Sequence, residues 1–286
     1  MSEIRTKVQG STMQHVTKGD FESVEIFVPS LDEQRTISER IERVLLIAER
    51  AHAAASTQAT ELTGLQNSIY RSAFLGITPL AESDKHDAPP VGWRWQVLGN
   101  LARLESGHTP SRRHPEWWGG DIPWIALPDI RAADGQVIER TIERTNELGI
   151  ANSAARVLPK DTVVLSRTAS VGFVTVMGRP MATSQDFVNW VCGSELNPFF
   201  LMHVLRASRR YLLTLASGAI HKTVYFPTVK SFRVCIPNRA EQDRIAADLE
   251  RQFSALDALK AKVAIQRATI EALPAAVLRQ AFAGGL

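Results

Sequence analysis

Residues 29–37 read PSLDEQRTI and residues 237–245 read PNRAEQDRI, so both segments follow a Pro-x3-Glu-Gln-x2-Ile pattern. Around this pair, residues 10–76 align with residues 218–284 without a gap at a constant offset of 208, with 16 identities in 67 positions. An ungapped match of this length indicates a duplicated unit. Solenoid repeats have a period of about 20–50 residues, so the much longer offset excludes a solenoid.

Each copy predicts a short strand followed by a long helix. Apolar residues alternate before a proline, which predicts a half-buried strand that the proline ends; they are Val24, Ile26 and Val28 in the first copy, and Phe232, Val234 and Ile236 in the second. Ser30 and Asn238 are then suited to cap a helix, and acidic residues in its first turn suit the positive end of the helix dipole.

The helix of each copy carries residues at alternating spacings of four and three. In the first copy these are Ile37, Ile41, Val44, Ala48, Ala51, Ala55, Gln58, Leu62, Leu65 and Ile69; in the second they are Ile245, Leu249, Gln252, Leu256, Leu259, Val263, Gln266, Ile270, Leu273 and Val277. A sustained 3.5-residue period is typical of a coiled-coil seam and predicts two long helices packed antiparallel. Gln58 and Gln266, at equivalent positions, either fix the register or are tolerated at a wide point of the seam.

Charge is distributed unevenly along the 286 residues, whose formal net charge is +3. Residues 91–237 contain 17 Lys and Arg against 11 Asp and Glu, a net charge of +6, and the remainder has a net charge of −3. A basic central block favours a polyanionic partner. No apolar run is long enough for a membrane span, and the N-terminal residues lack the apolar core of a signal peptide, which predicts a cytoplasmic protein with no membrane partner.

The central block predicts a compact α+β domain. Residues 77–92 are polar, contain three prolines and predict a linker. The runs TVVLS, GFVTVM and DFVNWVC predict strands, and Asn197-Pro198 predicts the start of a helix, with Asn as cap and Pro in the first turn. The whole chain is therefore expected to be α+β, with a globular mixed domain and two long helices.

No enzymatic motif is found in the sequence. It contains no phosphate-binding Gly-rich loop, no Gly-x-Ser-x-Gly elbow and no Asn/Asp-Pro-Pro-aromatic tetrapeptide of adenine methyltransferases. His108, His114 and Glu116 share a loop, but their spacing matches no metal site, so exposed histidines are the favoured interpretation. We therefore expect a non-catalytic protein without a cofactor or metal.

The duplication, the junction pattern and the opening of the central block together carry a resemblance. That opening reads GWRWQVLGNLARLESGHTPS, with WWGGDIPWI behind it. The sequence resembles the specificity subunit of type I restriction-modification enzymes over essentially its whole length. The resemblance implies target-recognition domains alternating with two long helices, which pack as an antiparallel coiled coil and dock the modification subunits. It implies double-stranded DNA and the modification subunit as partners and, through the latter, the restriction subunit.

The resemblance also implies a domain order, because a full specificity subunit begins with a complete first recognition domain. The expected parts are a remnant of a first recognition domain (1–30), the first long helix (31–76), the linker (77–92), the recognition domain (91–237) and the second long helix (238–286). This order resembles the C-terminal portion of a specificity subunit, as in a fragment, a truncated allele or a recombination cassette.

Candidate DNA-contacting residues lie in polar loops of the basic block: Thr109, Ser111, Arg112, Arg113, Arg167, Ser170, Gln185 and Lys222. Such side chains neutralise phosphates or read base edges, although each is also compatible with a solvated surface group. Arg112 and Arg113 are the strongest pair, because they are adjacent in an exposed Gly/Pro-rich loop. Trp117, Trp118 and Trp124 could stack on bases, but packing within the protein is the favoured interpretation.

Three functions fit these residues. The first is a DNA-binding specificity subunit that directs a methyltransferase and endonuclease complex to its target. The second is an assembly module whose helices bind the modification subunit while DNA recognition is vestigial. The third is a half-subunit that pairs with a copy of itself and reads a symmetric site.

Overall fold

The computed structural model describes residues 17–24, 28–84, 86–218 and 222–282. The chain divides into two compact units, which we call the helical unit (residues 1–58 and 262–286) and the central unit (residues 59–261). The α+β class predicted from the sequence is confirmed.

The described helices are α1 (Lys18–Glu22), α2 (Leu31–Ala73), α3 (Leu98–Leu101), α4 (Leu127–Ala132), α5 (Glu147–Ala151), α6 (Pro198–Ala207), α7 (Arg209–Leu215), α8 (Phe226–Lys230) and α9 (Arg239–Phe282). The two long helices, α2 and α9, have 43 and 44 residues. At about 1.5 Å per residue, each is roughly 65 Å long.

The long helices pack antiparallel, as the heptad pattern predicts. In the central unit, Lys260 Nζ donates a hydrogen bond of 3.0 Å to Gln66 Oε1. One turn further along α2, the rings of Tyr70 and Phe253 have centroids 4.7 Å apart. Residue numbers rise on one helix as they fall on the other, which defines the antiparallel direction. In the helical unit, His52 Nε2 lies 3.5 Å from Glu271 Oε1.

The seam matches the prediction as far as Ala55 on α2 and Leu249 on α9. Beyond these residues, every second predicted seam position is exposed. Leu62, Leu256, Val263 and Ile270 are buried as expected. Gln58, Leu65, Gln252, Leu259 and Gln266 are exposed, and the more buried side chains lie one residue later, with Phe253 only 7% exposed. After Ala55 and Leu249, the next seam residue therefore lies four residues further on and the one after it three further, whereas the prediction had three and then four. Gln58 and Gln266 do not lie in the seam, so the role predicted for them there is wrong. Beside Tyr70, the buried residue of α9 is Phe253 rather than Gln252, because burying an aromatic ring removes more apolar surface from water than burying a glutamine side chain does.

Eleven strands are found in the described residues: β1 (Leu80–Ala81), β2 (Arg94–Val97), β3 (Ala102–Ser106), β4 (Trp118–Ile125), β5 (Val137–Ile138), β6 (Glu143–Thr145), β7 (Val163–Ser166), β8 (Val174–Met177), β9 (Ala182–Thr183), β10 (Phe187–Cys192) and β11 (Arg233–Ile236). They form three sheets with strand orders β1-β11-β2, β3-β10-β7-β8-β5 and β6-β4-β9. A core cluster contributed by the second and third of these sheets includes Ile125, Val164, Met177 and Phe187, all fully buried.

Most predicted strands are present. The three apolar runs of the central block correspond to β7, β8 and β10, and the run before Pro237 corresponds to β11. The equivalent run before Pro29 includes residues 25–27, which lie outside the described residues. Helix α6 begins as predicted, with the side chain of Asn197 accepting hydrogen bonds from the backbone N–H groups of Phe199 and Phe200.

The segment 77–92 is more ordered than its composition predicts. Leu80 and Ala81 form β1, which pairs antiparallel with β11, and Leu80 is only 2% exposed. The two residues are apolar between polar neighbours, so pairing at a sheet edge removes them from water at little cost. The segment therefore contributes a strand to the central unit as well as connecting it.

The duplication seen in the sequence extends to the structure at the same offset of 208. Helices α1 and α8 occupy equivalent positions, as do the first residues of α2 and α9. Gln34 Nε2 donates to the carbonyl oxygen of Pro29 at 2.8 Å, and Gln242 Nε2 donates to that of Pro237 at 3.1 Å. The Gln of the junction pattern thus holds the entrance of each long helix in the same way.

Candidate nucleic-acid interface

Four loops of the central unit meet at one edge of the five-stranded sheet. Because β10 is antiparallel to both β3 and β7, the ends of β3 and β7 lie beside the start of β10. The loops that follow or precede these ends are residues 107–117, 166–173 and 183–186, and residues 217–218 and 222–224 join them. We call this group the loop cluster.

Backbone hydrogen bonds tie the loop cluster together. The N–H of His108 donates to Thr183 at 2.9 Å, and the N–H of Arg167 donates to Asp186 at 2.9 Å. The N–H of Ala169 donates to the carbonyl of Lys222 at 3.2 Å. Loops fixed to one another in this way present their side chains in a defined arrangement, as a recognition surface requires.

Gly107 allows the closest of these approaches. A Cβ atom at this position would overlap the carbonyl oxygen of Ser184 and the side chain of Thr183. The Gly-x-Thr-Pro-Ser opening of the central block therefore has a structural cause, since only glycine lets the 107–117 loop lie against residues 183–184.

Arg112 lies in an exposed loop, as the sequence predicts, but its side chain is bound to an acid of another element. Its guanidinium donates two hydrogen bonds to the carboxylate of Glu143 on β6, at 2.5 and 2.6 Å. It also lies over the ring of Trp118, 3.9 Å from the centroid. The hydrogen bonds from Arg112 lower the pKa of Glu143, so the pair stays ionised. The side chain of Arg112 is about half exposed (53%), which leaves one side of it accessible.

The neighbouring Arg113 is exposed. Within the described part of the chain, its guanidinium has no hydrogen-bond or ion-pair partner. Its backbone N–H donates to Ser111 Oγ at 3.3 Å, and Trp118 Nε1 donates to the Ser111 carbonyl at 3.4 Å. These contacts order the loop while leaving the charge of Arg113 free to meet a ligand.

The tryptophans pack within the protein. Trp124 is 3% exposed, and Trp118 contacts it edge-to-face with ring centroids 5.0 Å apart. Trp117 stacks on His114 at 4.1 Å. The three rings brace the 107–117 loop, which agrees with the packing role that the sequence favours for them.

Thr109, Arg167 and Gln185 are brought together although they are distant in sequence. Thr109 Oγ1 donates to Gln185 Oε1, and an Nη of Arg167 donates to the Gln185 carbonyl at 3.1 Å. The Arg167 guanidinium lies 4.8 Å from the ring centroid of Phe226. Burial lowers the pKa of Arg167, and the nearby Asp186 opposes this effect. This group combines hydrogen-bonding side chains of the kind that read base edges.

Ser170 and Lys222 differ in their exposure. Ser170 is 7% exposed, and its hydroxyl accepts hydrogen bonds from Arg131 Nε at 2.8 Å and Arg131 Nη2 at 2.5 Å. A buried hydroxyl that is already bonded is not available as a base reader. Lys222 is exposed, and its backbone carbonyl accepts from Ala169.

Arg131 is a residue that the sequence alone does not indicate. It lies in the last turn of α4, 14 residues beyond the 107–117 loop, and its guanidinium reaches the loop cluster by its hydrogen bonds to Ser170. Its local sequence is that of any basic residue in the last turn of a helix. Only the tertiary fold places it beside the predicted residues.

The loop cluster is positively charged. Its loops contain Arg112, Arg113, Arg167 and Lys222 against Glu116 and Asp186, a net charge of +2. Among the residues that the structure describes, no group of three or more His, Cys, Asp or Glu side chains could hold a metal ion. None of the described helices has the length and apolar character needed to cross a membrane.

Comparison with known proteins defines the family. A family model described as type I restriction modification DNA specificity domain matches residues 1–53 and 90–267. The chain belongs to this family. Its match covers the whole loop cluster and most of both long helices.

Individual specificity subunits are similar to parts of the chain. The MjaIX specificity subunit of Methanocaldococcus jannaschii is 27% identical over 162 residues, which cover 56% of this chain and 38% of that protein. The HindI specificity subunit of Haemophilus influenzae is 30% identical over 132 residues, which cover 45% and 28% of the two chains. The matched segments thus span only 38% and 28% of the length of these two relatives.

Solved structures share the fold. A chain from a study of complex assembly and conformational transition of the type I R-M system aligns with a TM-score of 0.77 and 22% identity, over 97% of this chain and 66% of that one. The HsdS subunit from Thermoanaerobacter tengcongensis aligns with a TM-score of 0.61 and 20% identity, over 100% and 67%. Both solved structures therefore share the fold of this chain.

Proposed function

We propose that the loop cluster is a DNA-binding surface and that the chain supplies sequence recognition to a type I restriction-modification complex. The observation that carries this proposal is the convergence of four loops, each with a predicted contact residue, on one positively charged edge. Membership of the DNA specificity domain family supports it.

The side chains of the loop cluster suit two kinds of DNA contact. Arg113 and Lys222 are exposed cations, which suit phosphate neutralisation. Thr109, Gln185 and Arg167 form a hydrogen-bonded group that could exchange internal partners for base edges. Arg112 is fixed by Glu143 and Trp118, so its proposed role is to shape the loop and present one face to the DNA.

We assign no catalytic step to this chain. Its proposed role is to position a modification subunit and, through it, a restriction subunit on a DNA target. The relatives are named as specificity subunits of restriction enzymes, which supports this division of labour. The exposed heptad positions of the long helices, such as Leu65 and Leu259, offer apolar contacts for assembly.

The proposed domain organisation follows the duplication. Residues 91–237 form the recognition domain, and residues 31–76 and 238–286 form the two spacer helices. Residues 1–30 correspond to the end of another recognition domain, because α1 and the Gln34 contact match α8 and the Gln242 contact of the complete copy.

The test is DNA binding by the full chain, using a duplex selected from a random pool. Affinity should fall by about 10³-fold between 50 and 200 mM salt if six or more phosphates are contacted. Arg113→Gln should weaken binding about fivefold or more while leaving the unfolding midpoint unchanged. If Arg113 contacts phosphate, the salt slope should also decrease by about 0.9.

Arg179→Gln is the matched control, because Arg179 is exposed in the central unit and has no ion pair or hydrogen bond among the described residues. It should retain the affinity of the unmodified protein. Equal affinity in both variants and the unmodified chain would refute the placement of Arg113 at the interface.

A further inference from the structure

A second basic site lies in the central unit, apart from the loop cluster. A cavity of about 340 Å³ is bordered by the C-terminal end of α2 and by helices α6 and α7. Four arginines line it: Arg71, Arg206, Arg209 and Arg210. Its volume falls within the about 300–1,000 Å³ typical of small-molecule sites.

The charge of this cavity is only partly neutralised. Asp134 binds both Arg206 and Arg209, with Oδ···Nη distances of 3.5 and 2.6 Å. Arg71 and Arg210 have no ion pair or hydrogen bond within the described chain, and no acidic residue is among the described residues that line the cavity. Four guanidinium groups and one carboxylate leave a net charge of +3.

Buried His203 adds no charge to this balance. Burial, with a smaller contribution from Arg206, lowers the pKa of His203 to about 3, so the imidazole is neutral at physiological pH. Its Nδ1 lies 3.3 Å from the hydroxyl of Tyr70, which lines the cavity. The positive charge therefore resides on the arginines alone.

Helix electrostatics explain two of these arginines but not the others, and Arg206 in the last turn of α6 is one of the two. Arg71 lies in the last turn of α2, where a cation is stabilised by the helix dipole. Arg209 and Arg210 are the first two residues of α7, where the dipole disfavours cations. Arg209 is compensated by Asp134, whereas nothing in the described structure compensates Arg210.

The remaining lining combines apolar and polar groups. Phe74, Ile77 and Leu213 form an apolar wall, and Asn67 and Thr78 supply hydrogen-bonding side chains. Arg71 and Phe74 belong to the Arg-x-Ala-Phe-x-Gly pattern that ends both sequence copies. This pattern thus places a cation and an aromatic ring on the same cavity.

We propose that this cavity binds a phosphate group, carried either by a small phosphorylated molecule or by a DNA backbone. Three net positive charges match a phosphate dianion better than a carboxylate, and guanidinium forks donate in pairs to phosphate oxygens. The apolar wall accommodates part of the molecule that carries the phosphate.

The test uses the full chain and the double variant Arg71→Gln/Arg210→Gln, with Arg179→Gln as the control. Calorimetric titration with inorganic phosphate, with adenosine monophosphate and with acetate at equal ionic strength separates the free ligands. A phosphate compound should bind with a dissociation constant of about 1 mM or tighter. The double variant should weaken binding about tenfold or more, and the control should not.

The DNA arm measures binding of a selected duplex by the same proteins. A DNA-backbone source predicts weakened duplex binding in the double variant even where free phosphate binds weakly. The proposal is overturned if acetate binds as well as phosphate, or if neither phosphate compounds nor DNA distinguish the double variant from the control. Arg210→Lys, which keeps the charge but loses the guanidinium fork, gives an intermediate loss and remains informative if the double variant unfolds.

Discussion

At the scale of single residues, the contacts of the loop cluster separate predicted residues that are bound within the protein from those whose side chains are free for the proposed DNA contacts. Arg112 and Ser170 are engaged with Glu143 and Arg131, whereas Arg113 and Lys222 are exposed. Sequence could place all of these residues in polar loops. It could not tell an engaged side chain from a free one, because Glu143 and Arg131 come from elements distant in the chain.

Gly107 gives a residue-scale prediction. Gly107→Ala should destabilise the central unit by about 1–3 kcal/mol, because the added methyl group overlaps the backbone of Ser184 and forces the loops apart. The measurement is denaturant unfolding followed by tryptophan fluorescence, since all six tryptophans lie in residues 91–237.

Gly99→Ala is the control for this change, because a Cβ atom at Gly99 meets nothing within 4 Å. It should unfold at the midpoint of the unmodified chain and keep its DNA affinity. A Gly107→Ala protein with unchanged stability would show that the two loops are not in close contact.

At the scale of elements, the sequence predicts the long helices well and their seam only in part. The heptad positions shared by prediction and structure include Leu62, Leu256 and Ile270. Between these shared positions, either of two neighbouring residues could lie in the seam. Hydropathy favours Leu65 over Gln66 and Leu259 over Lys260. The structure instead pairs Gln66 with Lys260 and buries Phe253 against Tyr70, contacts that require knowledge of the partner helix.

A matched pair of leucines tests the observed seam. Leu62 is 8% exposed and Leu65 is 47% exposed on the same helix. Leu62→Ala should cost about 2–4 kcal/mol of unfolding free energy, because it removes buried methyl groups. Leu65→Ala should cost under about 1 kcal/mol. Denaturant unfolding of the two variants gives the comparison, and equal losses would favour the seam predicted from hydropathy.

At the scale of the whole molecule, the duplicated unit is the feature that sequence reveals most completely. The same offset relates the sequence identities, the starts of the long helices and the glutamine contacts of the two junctions. Recurrence of one pattern in one chain is directly visible without a structure. The environment of each copy is not, because it depends on which neighbours the fold supplies.

Gln242 and Gln34 should therefore contribute differently to the free energy of unfolding. Gln242 is fully buried; its Nε2 donates to the carbonyls of Glu195 and Pro237, and its Oε1 accepts from the Asn197 N–H. Gln34 is partly buried and donates to Pro29. Gln242→Ala should destabilise the chain by about 2–3 kcal/mol, because it leaves buried backbone groups unpaired.

Gln34→Ala should cost about 1 kcal/mol or less, because water can replace its contact. Thermal unfolding of both variants, compared with the unmodified chain, measures the difference. A larger loss for Gln34→Ala would contradict the assignment of the buried bridging role to the second copy.

The central claim is that the loop cluster binds DNA, and hydrogen–deuterium exchange of the full chain with and without a selected duplex tests it most directly. The structure predicts slower amide exchange on DNA binding in residues 107–117, 166–173, 183–186 and 222–224, with the exposed faces of α2 and α9 unchanged. Protection confined to other parts of the central unit, with these four loops exchanging as in the free protein, would contradict the claim.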